Sequence, residues 1–149
     1  MRFARWTAAL LVAAIVTYLV AVVANSQFVM KAHNVSIGFA ERVNMTAFDV
    51  SNMWLYFVVI LVALLLGFLV ATVIKRFLPK LSRVAFPIAG ATAIGTTLGL
   101  MYLQFHTVPI SGARSGPGFL SQVLAGALGG WIFARISGKP ETGDPTTRD

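Results

Sequence analysis

Side chains able to do chemistry are few in this sequence, and they fall in two places. His33, Glu41, Arg42 and Asp49 lie between two long apolar stretches, and His106 and Arg114 lie between two others. General acid–base work needs an imidazole and a carboxylate within hydrogen-bond reach. His106 follows one apolar stretch and Asp49 precedes another, so the two can share one depth. Gln104 and Gln122 are the strongest uncharged polar groups near that depth. Asp49, Gln104, His106 and Gln122 therefore form a candidate polar cluster. The two histidines match no recognised zinc spacing, and the chain has no cysteine, which removes thiolate chemistry and disulfides. No catalytic, cofactor or metal residue is assigned.

Two further groups have the chemistry to bind anions. Residues 111–116 combine Ser111, Arg114 and Ser115 with glycines at 112 and 116. Two hydroxyls, exposed backbone amides and one guanidinium suit a phosphate headgroup or another anion. Lys75, Arg76, Lys80 and Arg83 crowd one short segment, and such a cluster beside a membrane attracts anionic lipid.

The elements that carry these residues follow from where charge is missing. Only 11% of the chain is charged and 57% is hydrophobic, against about 25% and 45–50% in soluble domains. Water cannot solvate most of such a surface; lipid can. Stretches without any charge run from 6 to 30, 50 to 74, 84 to 113 and 115 to 134. A bilayer core needs roughly 20 helical residues to cross, and backbone groups in lipid must bond within their own segment. The expected fold is an all-α integral membrane protein, a four-helix bundle with spans at about 4–25, 53–77, 85–105 and 117–136. Arg2 and Arg5 resemble the start of a signal peptide, but the apolar run that follows exceeds a signal core of about 7–15 residues, so the first span reads as retained.

Basic residues orient these spans. Arg2, Arg5, Lys75, Arg76, Lys80, Arg83, Arg135, Lys139 and Arg148 share one side, and Lys31, Arg42 and Arg114 share the other. The positive-inside rule places the larger set, with both termini, in the cytoplasm. The net charge of +7 thus reads as topology, with no nucleic acid implied. A bacterial inner membrane is the expected location. Residues 137–149 are polar and proline-bearing and read as a disordered cytoplasmic tail.

The first outer loop contains Ile37, Ala40, Val43 and Ala47 at helical spacing, which predicts a short amphipathic helix at the outer interface. Asn44 interrupts its apolar face. Thr46-Ala47-Phe48-Asp49 matches a capping box and predicts a helix starting at about 47. Pro117 fits the first position of the last span.

Helix pairing in lipid depends on close contact between small residues. The third span carries Ala91, Gly95 and Gly99, and the fourth carries Ala125 and Gly129 on one line with Gly126 and Gly130 on a second. A short loop makes these spans antiparallel neighbours. The second span, rich in Leu, Val, Ile and Phe, is expected to face lipid. A second line of small residues on the fourth span predicts contact with another chain, as a homo-oligomer or within a larger membrane complex. The leading expectation is a non-enzymatic accessory subunit or scaffold. A transporter or channel for a neutral solute is the second expectation, and a membrane enzyme with an outer-face site is the third.

Overall fold

The computed structural model describes residues 2–33, 38–77 and 84–138. Their elements are α1 (Arg2–Ala32), α2 (Phe39–Asn52), α3 (Trp54–Phe77), α4 (Ala85–Phe105), a 3-10 turn (Ser111–Arg114) and α5 (Gly116–Ser137). Among the described residues every regular element is helical, and α1, α3, α4 and α5 are long and apolar enough to cross a membrane. Lys80, Arg83 and Ile37 lie outside the described residues, as does the tail from residue 139 onward.

Prolines and polar side chains set the helix ends. Pro87 sits in the first turn of α4, where a missing amide costs nothing. Pro117 opens α5 behind Ser115, whose hydroxyl accepts from the Gly118 amide at 3.2 Å. His106 ends α4 with φ 56°, the left-handed conformation that closes many helices.

One boundary differs from the sequence expectation. No helix starts at Thr46: its hydroxyl donates to the Arg42 carbonyl one turn back, at 2.9 Å, in the interior of α2. The acid that serves the start of α2 is Glu41, which accepts from the Gly38 amide at 3.3 Å. Asp49 is instead pulled sideways to α1, so the local capping pattern is overridden by a tertiary partner. The chain breaks between α2 and α3 at Met53. There the carbonyl of Val50 accepts the Tyr18 hydroxyl of α1 at 2.6 Å.

The four long helices pack as a ring in which α5 lies against α4 and α1, and α3 lies against the same two. The closest approach is between α4 and α5. A Cβ on Gly90 would collide with the Gly126 carbonyl oxygen, and one on Gly126 would meet the Gly90 carbonyl and, at 2.6 Å, the Ile94 side chain. Gly130 rests on the backbone of Phe86 and Pro87 in the same way. The inward line of α4 is therefore Phe86, Gly90, Ile94 and Leu98, one position earlier than the expected line of Ala91, Gly95 and Gly99. Gly95 lies at the edge, with Val123 Cγ2 at 3.4 Å from its would-be Cβ, and Gly99 faces open space.

The other line of α5, Ala125 and Gly129, is also occupied within the chain. Gly129 lies over Thr17 and the Ala13 carbonyl of α1, and the Thr17 hydroxyl donates to the Ala125 carbonyl at 3.4 Å. Both small-residue lines of α5 are thus used inside the bundle, so neither is left for a second chain. The two lines exist because α5 has two close neighbours.

Each long helix gives one aromatic ring to a cluster near the end that carries the termini. Phe68 and Phe133 stack with centroids 4.3 Å apart, Phe86 meets Phe133 at 4.7 Å, and Trp6 meets Phe133 edge-on at 5.5 Å. Such pairs contribute about 0.5–1.5 kcal/mol each beyond buried area. Outward, the same helices present Ile15, Leu19, Leu66, Val70, Leu100 and Leu124, all exposed.

Gly126→Leu should disrupt the single chain rather than only an assembly, because backbone of α4 occupies the space. The expected cost is about 3 kcal/mol or more, read as a lower thermal midpoint of tertiary circular dichroism in detergent. Gly99→Leu, into open space, should leave that midpoint within the scatter of the wild type.

Candidate functional site

Polar side chains of the spans gather at the α2 end. Gln122 of α5 is fully buried. Its Oε1 accepts the Tyr56 hydroxyl of α3 at 2.9 Å, and its Nε2 donates to the Ala21 carbonyl of α1 at 3.0 Å. One amide thereby ties three helices. Ser26 of α1 donates to the Asp49 carboxylate at 2.5 Å, and with the Tyr18–Val50 bond this fixes α2 to α1 at two points. Tyr18 also packs edge-on against Phe57, centroids 5.5 Å apart.

Asn25, buried on α1, organises the second loop. Its Oδ1 accepts the Gly112 amide at 2.7 Å and its Nδ2 reaches the Met53 sulfur at 3.7 Å. A Cβ on Gly112 would stand 2.6 Å from the Asn25 Cα, so only glycine lets the loop come this close. Several of the donors expected to cradle an anion at 111–116 are engaged in this docking. The Gly112 amide is held by Asn25, the Ala113 amide by the Ile110 carbonyl at 3.0 Å, and the Gly118 amide by Ser115. Arg114 donates through Nε to the Val108 carbonyl at 2.9 Å. The segment is a docked turn built by its own hydrogen bonds, and Ser111, Arg114 and Ser115 remain exposed on its outside.

The expected cluster of Asp49, Gln104, His106 and Gln122 is divided by the fold. Asp49 turns to Ser26, Gln122 lies in the core, and Gln104 and His106 are exposed. Depth in the membrane was the only basis for grouping them; helix rotation separates them. Among the described residues no group of three His, Asp or Glu side chains is placed to hold a metal. All buried side-chain nitrogen and oxygen atoms of the described residues have hydrogen-bond partners. The polar set at this end therefore acts as a fastening. Tyr18 and Asn25 of α1 supply two parts of this fastening. Their separation of seven, which puts them on one helix face, was the signal that could have joined them.

The fastening presents α2, which has no buried residue. Phe39, Val43, Ala47 and Val50 form one apolar side and line an open cleft of about 780 Å³ against Val23 and Gln27 of α1. Ala47 and Val43 are on this side as expected, with Phe39 and Val50 completing it. Phe48 is nine residues from Phe39, so at 3.6 residues per turn it points to the opposite side. Phe48 and its neighbour Met45 are 66% and 45% exposed. They stand there among Glu41, Asn44, Ser51 and Asn52, so the helix has one apolar side and two exposed apolar side chains on its polar side.

No family model matches the chain, and no curated protein or solved structure matches it either.

Tyr56→Phe leaves Gln122 Oε1 buried without its donor and should destabilise the bundle by about 1 kcal/mol. Asn25→Ala should release the 3-10 turn: hydrogen exchange at the Gly112 amide is expected to accelerate by about tenfold or more, while amides in the middle of α3 stay protected.

Proposed function

We propose that this chain is an integral membrane protein that serves as a non-enzymatic subunit or scaffold of a larger membrane assembly. Four apolar helices with exposed Leu, Ile and Val along their outer surfaces support the membrane reading, and the basic residues support cytoplasmic termini. A bacterial inner membrane fits a cysteine-free chain with small-residue spans.

The observation that carries the subunit reading is the pair of exposed apolar side chains, Met45 and Phe48, on the polar side of α2. A helix that only rests on a bilayer needs one apolar side. The side with Phe39 and Val43 faces α1 and the lipid beside it. Met45 and Phe48 point away from that side, on a helix that two hydrogen bonds hold in place. Exposed apolar side chains on a fixed element suit a protein partner, and fixing the element in advance lowers the entropy lost on docking.

A solute path through one copy has little support. Phe68, Phe86 and Phe133 fill the bundle near one end, and the Tyr56–Gln122 pair fills it near the other. Transport would have to use a passage between copies. An enzyme reading would need the separated His106 and Asp49 to meet.

Native mass spectrometry of the full chain, extracted in nanodiscs from its own membrane, tests the proposal. The expected result is a complex of fixed protein stoichiometry that falls at least tenfold in a Met45→Asp/Phe48→Asp variant with unchanged helical content. A single chain carrying only lipid, or a complex indifferent to that variant, would overturn it.

A further inference from the structure

Two hollows of the bundle meet at one lysine. The first is a groove of about 450 Å³ on the outer surface between α3 and α4. Its walls are apolar or small, including Gly67, Val70, Ala89 and Ala93, with the Thr92 and Thr96 side chains along the edge. Along α3 the groove runs from Ala63 to Lys75, about 18 Å at 1.5 Å per residue. That length is close to one leaflet of a hydrocarbon core about 30 Å thick.

The second hollow, about 540 Å³, opens at the end of the bundle that carries the termini. Trp6, Trp131, Lys75 and Arg135 line it. Lys75 therefore borders both hollows: its Nζ lies 4.6 Å from the Phe86 ring centroid. Arg135 is stacked 4.7 Å over Trp131. These aromatic faces hold both cations at the mouth without neutralising them. The acids among the described residues, Glu41 and Asp49, are both on α2 at the opposite end, and Glu141, Asp144 and Asp149 lie outside the described residues.

We propose that these hollows together are a binding site for one anionic phospholipid of the leaflet on the side of the termini. The headgroup phosphate lies between Lys75 and Arg135, with the indoles of Trp6 and Trp131 at the level where such rings are favoured. One acyl chain follows the α3–α4 groove from Lys75 toward Ala63. Two arguments select this occupant. The groove is lined mainly by apolar and small residues with Lys75 at one end, where the second hollow adds Arg135, which is the charge pattern of a phospholipid. Its length matches one leaflet, whereas a partner helix would cross two. Lys75 was expected within the basic cluster of Lys75, Arg76, Lys80 and Arg83; the fold gives it Arg135, 60 positions along the chain, as its companion at the cavity. The proposal needs the membrane reading but not the partner assigned to α2.

The test is native mass spectrometry of the purified full chain with phosphatidylglycerol and phosphatidylcholine of identical acyl chains at equal concentration. The wild type should retain phosphatidylglycerol preferentially by about tenfold or more, the order expected of two interfacial cations. Lys75→Gln and Arg135→Gln should each lower that preference severalfold, and the double variant should bring the ratio close to one with its thermal midpoint kept. Thr96→Phe, which fills the groove without touching either cation, should reduce retention of both lipids. Unchanged preference in the double variant would overturn the proposal. So would a Thr96→Phe chain that keeps its lipid but loses a protein partner, since the groove would then belong to a helix.

Discussion

Helices surrounded by lipid gain nothing from hiding leucine, because the tails are as apolar as the side chain. What holds them is contact closer than ordinary side chains allow, together with polar bonds that lipid cannot supply. On the membrane reading, both requirements converge on α5 in this protein. Its backbone touches that of α4 at Gly126 and Gly130 and that of α1 at Gly129. Only residues with little or no side chain permit this on two sides of one helix. The rest of the bundle is arranged around that constraint: α4 and α1 are placed by α5, and α3 closes the ring between them.

Polar bonds then fix the rotation that close packing leaves open. Gln122 reads both α1 and α3 with one side chain, a donor on one side and an acceptor on the other. Individual bonds of this kind measure only about 0.6 kcal/mol on average and up to about 1.7 kcal/mol, so they contribute specificity more than stability. A rotated helix would leave an amide unsatisfied in apolar surroundings, and that cost separates the observed packing from its neighbours. The aromatic cluster at the other end has no such directional demand and fills volume.

The two ends consequently have different roles. At the α2 end, polar atoms are paired with one another, and the product of that pairing is a fixed surface helix with Met45 and Phe48 exposed on its polar side. At the end with the termini, Lys75 and Arg135 are steadied by aromatic rings that leave their charge unspent. On the two readings proposed above, the first end meets a partner and the second holds a phosphate.

The number of the long helices was legible because charge is costly in lipid, and its absence over four stretches is a property of sequence alone; α1 nevertheless runs to Ala32, past the expected end at 25. The short outer helix was legible from its spacing, and the start of α5 from Pro117, because both are local. The helix start expected at about 47 was misplaced, and the second long helix begins at Trp54, since Asp49 has a nonlocal partner in Ser26 that no local pattern announces. The candidate cluster failed for a related reason. Sequence places residues by depth, but rotation about the helix axis is decided by which faces fit, and the fit moved the inward line of α4 from Gly95 to Gly90. Tertiary structure alone decided that both small-residue lines of α5 are spent inside one chain. It alone put Arg135 and Lys75 on the lining of one hollow, because charges on separate helices come to share a site only when the packing of those helices around the ring brings their ends together.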